Sequence, residues 1–475
     1  EFAVRRALGA GRRRLIGQLL TESLVLALAG GAVGLLFAEV GVSAILRAWP
    51  AVLPRTHQIG VDAATLVYSL LISLIAGVAF GLAPAWRSSA VALDRSLREG
   101  SSTTTAGPGR RRLQRGLVAA EIALALVVLT GAGLLVRSFV RLESVDPGYD
   151  VHNVLTARIR LTPARYATMA QQLDFYQRMV QELRRQPGVE SASVSQTLPM
   201  TGEVVGFRLG VPGDAVDIEQ DVVDPAFFRT LRIPLLAGRR FTDDDRTDTQ
   251  PVAIINTALA TRLWPNGNPI GRTLSLRRSD GVPTTIVGEI GNVHYASLTD
   301  PVKPEIYLPF SQGEPRSGMT ASWVVARATR DPAGLAVAVR RAVAAVDPQQ
   351  PVAAFATLSD LVGRSTAARR FNMTLVGIFA LLALGLAVVG IYGVTAYMVQ
   401  QRTQEIGVRV ALGADRGHVL SLVLAETGVM TGIGIVIGLA GALGFTRVLG
   451  SLLYDISVTD SATFVVTTVV LATAE

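Results

Sequence analysis

The stretch Glu1-Phe-Ala-Val-Arg-Arg-Ala-Leu-Gly-Ala10 returns, without gaps, as Glu405-Ile-Gly-Val-Arg-Val-Ala-Leu-Gly-Ala414. In both copies this basic stretch leads into a long apolar segment that is rich in small residues. An internal duplication fixes the architecture before any single element does. Because the repeated unit combines a basic segment with an apolar run, it predicts a duplicated membrane unit.

The same register superposes two pairs of glycines in the apolar segments. The spacing of four residues lets helix backbones approach closely, although it is also common by chance in Gly-rich spans. Its repetition at one offset predicts a helix-packing role, without a ligand, for Gly30, Gly34, Gly434 and Gly438.

The composition is that of a membrane protein. The 475 residues are 49% hydrophobic and 17% charged, whereas soluble domains carry about 25% charged residues. The chain has no cysteine, which excludes disulfides, thiolate catalysis and zinc sites built on cysteine.

Several apolar runs are long enough to cross a membrane, which takes about 20 residues in a helix. The predicted spans are Leu19–Leu46, Ala64–Trp86, Leu117–Val136, Thr374–Val399, Val419–Leu449 and a sixth that begins at Ala462. The sixth run stops at the end of the sequence and the chain starts without Met, so we interpret it as a fragment of a longer polypeptide with about six spans.

Arginines near the ends of the spans predict the orientation. Residues 1–14, 87–116 and 400–418 together carry 15 basic and 5 acidic residues, so all three face the cytoplasm. Counting spans from there places residues 138–370 outside. The net charge of +8 then reflects topology, and we expect no nucleic-acid partner.

Residues 138–370 have the periodicities of a soluble α+β domain. Alternation over Leu155–Leu161 predicts a half-buried strand, and Met169 to Leu183 forms one helical face before a strand at Val189–Ser195. A second strand–helix–strand unit and three intervening strands are predicted at Ser322–Ala328, Ala333–Val346, Val352–Phe355, Val252–Ile255, Thr273–Leu276 and Thr284–Val287. The fold class is therefore an α-helical membrane protein whose extracytoplasmic domain has split βαβ units and an inserted β-rich subdomain.

The segment Gln404–Ala414, between two spans, resembles the cytoplasmic coupling segment of MacB/FtsX-type ABC transporter permeases. Residues 138–370 are similar to the periplasmic core domain of that family, on the stretches Val145–Asp150, Asp224–Leu231, Gly238–Thr242 and Pro251–Asn256. The duplication, with Gly81–Pro84 and Leu97–Gly100, resembles the duplicated form of these permeases. The resemblance covers essentially the whole chain.

The resemblance implies a division into permease units. Residues 1–100 would hold the last two spans of a first unit, with its coupling segment at 1–14, followed by a cytoplasmic linker at 101–116. The second unit would comprise a first span at 117–137, the periplasmic domain at 138–370 and a truncated permease domain at 371–475, with its coupling segment at 400–418.

The resemblance also implies that the coupling segments dock on a cytoplasmic ATPase. Glu405 and Arg409, at i and i+4, would stabilise the helix, and Gly413 would permit a turn at its end. An alternative is a basic helix that rests on lipid headgroups. The predicted coupling residues are Glu405, Gly407, Arg409, Ala411, Leu412, Gly413, Ala414, Glu1, Arg5, Ala7, Leu8, Gly9 and Ala10; the first copy departs in having Ala3 where the second has Gly407.

No pattern of a catalytic or cofactor site occurs in the sequence. It has no Gly-x-x-x-x-Gly-Lys-Ser/Thr loop, and Lys303 is its single lysine, so the ATPase is expected to be a separate subunit. The run Asp243-Asp-Asp245 could bind a cation, but a solvated turn or helix N-terminus is favoured. We therefore predict no catalytic residue, cofactor or metal, and no enzyme activity.

These patterns predict a permease subunit of an ABC-type transporter in the bacterial inner membrane. It would couple ATP hydrolysis to motion of a periplasmic domain for efflux or for lipoprotein or peptide export. Its partners would be the ATPase, the bilayer and a periplasmic adaptor or substrate. The alternative is a non-transport protein that regulates periplasmic or cell-wall enzymes by the same motion.

Overall fold

Long helices lie at both ends of the chain, and most of the strands lie between them in sequence. The structure, a computed structural model, describes residues 12–48, 60, 62–90, 108–211, 214–276, 282–312, 320–401, 403–412, 415–450 and 453–474. The helices are α1 (Arg12–Ala48), α2 (Ala63–Ala90), α3 (Pro108–Glu143), α4 (Met169–Arg184), α5 (Phe227–Thr230), α6 (Thr257–Leu263), α7 (Leu335–Val346), α8 (Leu358–Gln401), α9 (Thr403–Ala411), α10 (Arg416–Leu449) and α11 (Ser461–Ala474).

The strands form one mixed sheet. They are β1 (Val154–Arg160), β2 (Val189–Ser195), β3 (Val205–Val211), β4 (Asp214–Val223), β5 (Leu235–Gly238), β6 (Val252–Asn256), β7 (Thr273–Leu274), β8 (Thr284–Ile290), β9 (Glu305–Pro309), β10 (Ala321–Ala328) and β11 (Val352–Thr357). Their order is β11-β1-β10-β2-β4-β9-β6-β8-β5, with β3 added to β4 and β7 added to β8.

Each predicted span lies within a helix. Within the described residues, four helical segments are long and apolar enough to cross a membrane: Leu20–Arg47, Arg115–Glu143, Leu358–Tyr397 and Thr427–Leu449. The apolar helices Ala63–Ala79 and Ser461–Thr473 are shorter. The structure therefore supports a multi-pass membrane protein with four candidate spans, and the predicted count of about six remains a prediction.

The chain divides into two units, one of residues 1–127, 381–441 and 468–475 and the other of residues 128–380 and 442–467. In the first unit, α1 and α2 pack on each other through small residues, since Gly77 lies against Ala27 and Leu24. A separate cluster in the same unit joins α3, α8 and α11 through Ile122, Leu126, Ala387, Ile391 and Leu471.

In the second unit, the order β11-β1-β10-β2 is built from two strand–helix–strand segments. β1 and β2 are both antiparallel to β10, which lies between them, and α4 connects them. β10 and β11 are likewise both antiparallel to β1, with α7 as their connection. Each segment thus leaves a gap that a strand of the other fills.

Both faces of the sheet are buried. One core contains the apolar sides of α4 and α7, and the other lies on the opposite face, so neighbouring residues such as Val324 and Val325 belong to different cores. The predicted half-burial of β1 holds in its second half, where Arg158 is half-buried and Arg160 is exposed, and is wrong in its first half. Val154, Leu155, Thr156 and Ala157 are all buried, because β1 is an inner strand and is covered on both faces.

Candidate functional site

A short helix, α9, separates the long apolar helices α8 and α10. Its described surface is open to solvent: Val408 is 56% exposed and Leu412, in the turn that follows, is 83% exposed. Leu412 N–H donates a backbone hydrogen bond to the Val408 carbonyl at 3.0 Å, so the helical geometry continues to Leu412. The two side chains are four residues apart and therefore lie on one face. Gly407, Arg409 and Ala411 are exposed as well. The helix thus presents an apolar pair next to a cation.

Several predicted coupling residues are not placed. Glu1, Arg5, Ala7, Leu8, Gly9, Ala10, Gly413 and Ala414 lie outside the described residues, and so does the side chain of Glu405. The expected contact between Glu405 and Arg409 and the turn at Gly413 therefore remain predictions. Sequence reasoning did not single out Val408, although its spacing from Leu412 was available as a signal.

The second pair of repeated glycines lies where α10 meets α3. A Cβ on Gly434 would lie 2.7 Å from the Cβ of Ile122, and one on Gly438 would lie 3.0 Å from the carbonyl oxygen of Ala123. The distance at Gly434 is too short for a side chain and the distance at Gly438 is tighter than an ordinary contact, so these glycines allow the backbones to approach. At Gly30 and Gly34, an added Cβ would meet no described atom within 4 Å.

A carboxylate and another glycine lie at a second close approach in the same unit. Gly390 of α8 faces Glu121 of α3, so closely that a Cβ on Gly390 would collide with the carboxylate oxygens. Glu121 is half-buried there. Glu121 falls inside the predicted span Leu117–Val136, but the sequence gave no sign of its glycine neighbour.

Two long helices run into the core of the domain. α3 and α8 extend beyond the predicted spans at Leu117–Val136 and Thr374–Val399, because their ends bury apolar side chains against the sheet. Leu142 of α3 is 1% exposed, and Leu358 at the start of α8 is fully buried in the same core. No flexible linker separates β11 from α8, since Leu358 follows Thr357 directly.

The end of α3 is also tied to the segment that precedes α11. Arg137 forms an ion pair with Asp460, Arg141 forms one with Asp455 at 2.9 Å, and Ser138 Oγ accepts a hydrogen bond from Tyr454 N–H at 2.7 Å. The carboxylate of Asp460 also accepts hydrogen bonds from the hydroxyl and N–H of Thr463, at 2.6 and 3.0 Å. The hydroxyl of Thr463, its N–H and the guanidinium of Arg137 hold the pKa of Asp460 below its usual range.

The acidic run at residues 243–245 forms a turn that is only partly solvated, since Asp243 and Asp244 are exposed and Asp245 is buried. Asp245 is 5% exposed and binds the guanidinium of Arg239 in a bidentate ion pair, at 2.7 and 2.8 Å. It also accepts the N–H of Thr242 at 2.9 Å, which closes the turn. The prediction of a solvated turn is wrong for Asp245, because an arginine six residues earlier folds back onto it.

Comparison with known proteins assigns both parts of the chain. The family profile of the MacB-like periplasmic core domain matches residues 121–349. The profile of the FtsX-like permease C-terminal region matches twice, at residues 1–92 and at residues 377–474. The second profile thus finds the duplication that the repeated decapeptide indicates.

Curated relatives share about a quarter of their residues with the chain. The uncharacterized ABC transporter permease YvrN of Bacillus subtilis is 26% identical over 238 residues, which are 48% of this chain and 57% of that protein. The macrolide export ATP-binding/permease protein MacB of Hahella chejuensis is 26% identical over 296 residues, which are 61% of this chain and 43% of that protein. The chain thus spans about half the length of the relatives it matches.

Among solved structures, the periplasmic region of MacB from Actinobacillus actinomycetemcomitans aligns with a TM-score of 0.32 at 13% identity. The alignment covers 46% of this chain and 95% of that chain.

Proposed function

Because the chain belongs to the MacB/FtsX-type permeases of ABC transporters, we propose that it couples ATP hydrolysis by a separate cytoplasmic ATPase to motion of its extracytoplasmic domain. In this proposal it lies in the bacterial inner membrane, with residues 138–370 on the outer side. The motion expels periplasmic cargo, and an adaptor or the cargo itself contacts the domain.

The docking surface for the ATPase is α9. Its exposed apolar pair, Val408 and Leu412, is the observation that carries the proposal, since exposed apolar side chains beside a cation suit burial at a protein interface. Residues 400–418, which include α9, carry more arginine than acidic residues, and this excess favours the cytoplasmic side. A short helix joined to two spans transmits a push from the ATPase to both of them.

The outer ends of the spans carry that push into the domain. α8 continues without a break from Leu358, buried in the domain core, to Gln401, two residues before α9 begins. A helix of this length spans about 66 Å at 1.5 Å per residue, which exceeds the hydrocarbon thickness of about 30 Å. In this proposal, displacement of α9 reaches the sheet along α8, and the spans need not form a channel for cargo.

Substitution of the apolar pair tests the proposal. Val408→Asp and Leu412→Asp should abolish stimulation of the partner ATPase in proteoliposomes, because each places an uncompensated carboxylate in the interface. The matched control is Val337→Asp, which changes an exposed valine of the domain (50% exposed) and should leave the ATPase rate unchanged. Crosslinking of α9 to the ATPase reports docking independently of the rate.

The outcome also separates the two functions. Wild-type ATPase rates in Val408→Asp and Leu412→Asp would make α9 a helix that rests on lipid, and would refute coupling through it. ATP-dependent efflux from the same proteoliposomes supports export, whereas coupled ATPase activity without efflux of any cargo supports regulation of a periplasmic enzyme.

A further inference from the structure

Three carboxylates lie together on one face of the sheet in the extracytoplasmic domain. Glu219 of β4 and Glu305 of β9 are direct partners in the parallel pair of these strands, and Asp221 follows two residues after Glu219. All three are buried, with exposures of 8%, 3% and 3% for Glu219, Glu305 and Asp221. Buried carboxylates are costly unless donors or cations compensate them, so each needs a partner.

Asp221 has its partners. It accepts hydrogen bonds from the hydroxyl groups of Ser195 and Tyr295, both at 2.5 Å, and from the N–H of Thr197 at 3.0 Å. These donors fix the loop that follows β2. Asp221 is therefore a structural group and is not available to a ligand.

Glu219 is also engaged. Its Oε1 accepts from the ammonium group of Lys303 at 2.6 Å. Lys303 approaches from the rim, since its side chain is 52% exposed. This cation therefore bonds directly to Glu219 and not to Glu305.

Glu305 has one oxygen satisfied and one open. Its Oε2 accepts from the hydroxyl of Tyr307 at 2.5 Å, while its buried Oε1 has no partner within the described structure. Glu305 lines a cleft of about 190 Å³, a volume that includes the solvent at its open mouth, together with Val204, Val205, Glu219 and Tyr295. A buried, unpartnered carboxylate oxygen that borders an open cleft is a site for a donor from outside the domain.

The lining indicates the chemistry of that donor. Carboxylate and phenol oxygens accept hydrogen bonds, the phenol rings can face a cation, and the valines suit an attached alkyl chain. Within the described residues, no group of three or more acidic or histidine side chains has the arrangement that holds a metal ion. We propose that this cleft binds a small organic cation of the guanidinium or primary-ammonium class, with Glu305 as its counter-ion.

The protonation of Glu305 agrees with this assignment. Burial, together with the nearby carboxylates of Glu219 and Asp221, raises the pKa of Glu305 to about 8 against the opposing effects of Tyr307 and Lys303. The empty cleft therefore keeps a proton on Glu305 at neutral pH. A bound cation replaces that proton, so its affinity should increase as the pH rises through about 8.

A cation and its neutral isostere test the site on the full chain in detergent. Propylguanidinium should bind in equilibrium dialysis, and propylurea, which has the same shape without the charge, should not. Glu305→Gln should weaken binding of propylguanidinium by about tenfold or more, since a charge-assisted hydrogen bond is lost. The matched control is Glu182→Gln, which removes an α4 carboxylate that pairs with Arg185, and this variant should bind propylguanidinium as the wild type does.

A second variant should change the affinity for propylguanidinium in the opposite direction. Lys303→Met removes the cation that competes for the cluster, so it should strengthen binding of propylguanidinium. Lys303 is half-exposed, and its loss should not unfold the domain even if Glu305→Gln does. Equal binding of the two probes, no binding of the cation by the wild type, or weaker binding by Lys303→Met would each overturn the proposal and leave the cleft as a site for water.

Discussion

Arg137 of α3 and Asp460, the residue before α11, form an ion pair between segments that are far apart in sequence. Asp460 also caps α11 by accepting the N–H of Thr463 at 3.0 Å. The Asp460 carboxylate thus binds the end of α3 and caps the first turn of α11. Its two tasks can be separated, because asparagine caps a helix about as well as aspartate does but carries no charge.

Asp460→Asn should therefore destabilise the protein by less than about 1 kcal/mol, since Arg137 is half-exposed and exposed ion pairs contribute little. Asp460→Ala should cost about 0.5–2 kcal/mol, because the cap is lost as well. The pKa of Asp460 is lowered in the folded state, so its stabilisation is complete above the ordinary aspartate pKa of about 3.9 and disappears as the pH falls through the lower folded value. Thermal unfolding in detergent at pH 7 and at low pH measures this, and a wild-type advantage that grows in acid would contradict it.

The glycines of α10 make a second prediction. Gly434→Val should destabilise the packing of α10 on α3 by about 1–3 kcal/mol, because the new Cβ meets Ile122 at 2.7 Å. The control is Gly432→Val in the same helix, where an added Cβ meets no described atom within 4 Å and the expected change is within about 0.5 kcal/mol. Thermal unfolding of both variants measures the loss of stability. Equal losses would show that the close approach at Gly434 does not limit the packing of α10 on α3.

Much of the architecture was readable from periodicity. The long apolar runs predicted the membrane helices, and the strand at Val189–Ser195 has the predicted bounds. These elements carry their signal locally, because an apolar stripe or an alternating pattern records which side is buried. The prediction gave only the apolar spans of α3 and α8, whereas both helices extend further and bury Leu142 and Leu358 in the domain core.

The acidic cleft could not be predicted from the sequence. β4 has the sequence Asp-Ala-Val-Asp-Ile-Glu-Gln-Asp-Val-Val, whose polar residues do not predict an inner strand. Its carboxylates are buried because hydroxyl and N–H donors come from residues such as Ser195 and Tyr295, far away in the chain. The repeated glycines show the same limit. Gly34 and Gly438 occupy one register position in the duplication, yet only Gly438 faces a described neighbour.

A buried arginine provides a third prediction. Arg327 of β10 is 1% exposed and donates to the Thr230 carbonyl at 2.8 Å, the His152 carbonyl at 2.8 Å and the Asp150 carboxylate at 3.0 Å. Arg327→Leu should cost about 3 kcal/mol or more, because it leaves these acceptors without their donor. Arg232 pairs with the same carboxylate at 2.9 Å but is 54% exposed, so Arg232→Gln should destabilise the protein much less than Arg327→Leu does. Similar losses in thermal unfolding for the two variants would show that burial of Arg327 is not the decisive difference.

The two ends of α8 test the orientation on which the proposed function depends. Ser359, in its first turn, and Thr403, at the start of α9, are both exposed, and the chain contains no cysteine. The excess of arginine in residues 400–418 predicts that Thr403 lies in the cytoplasm and Ser359 outside. A membrane-impermeant thiol reagent added to intact spheroplasts should therefore label Ser359→Cys and should label Thr403→Cys only after the membrane is opened. Labelling of both in opened membranes is the control for accessibility. The reverse pattern would put α9 on the outer side, where no ATP hydrolysis could act on it.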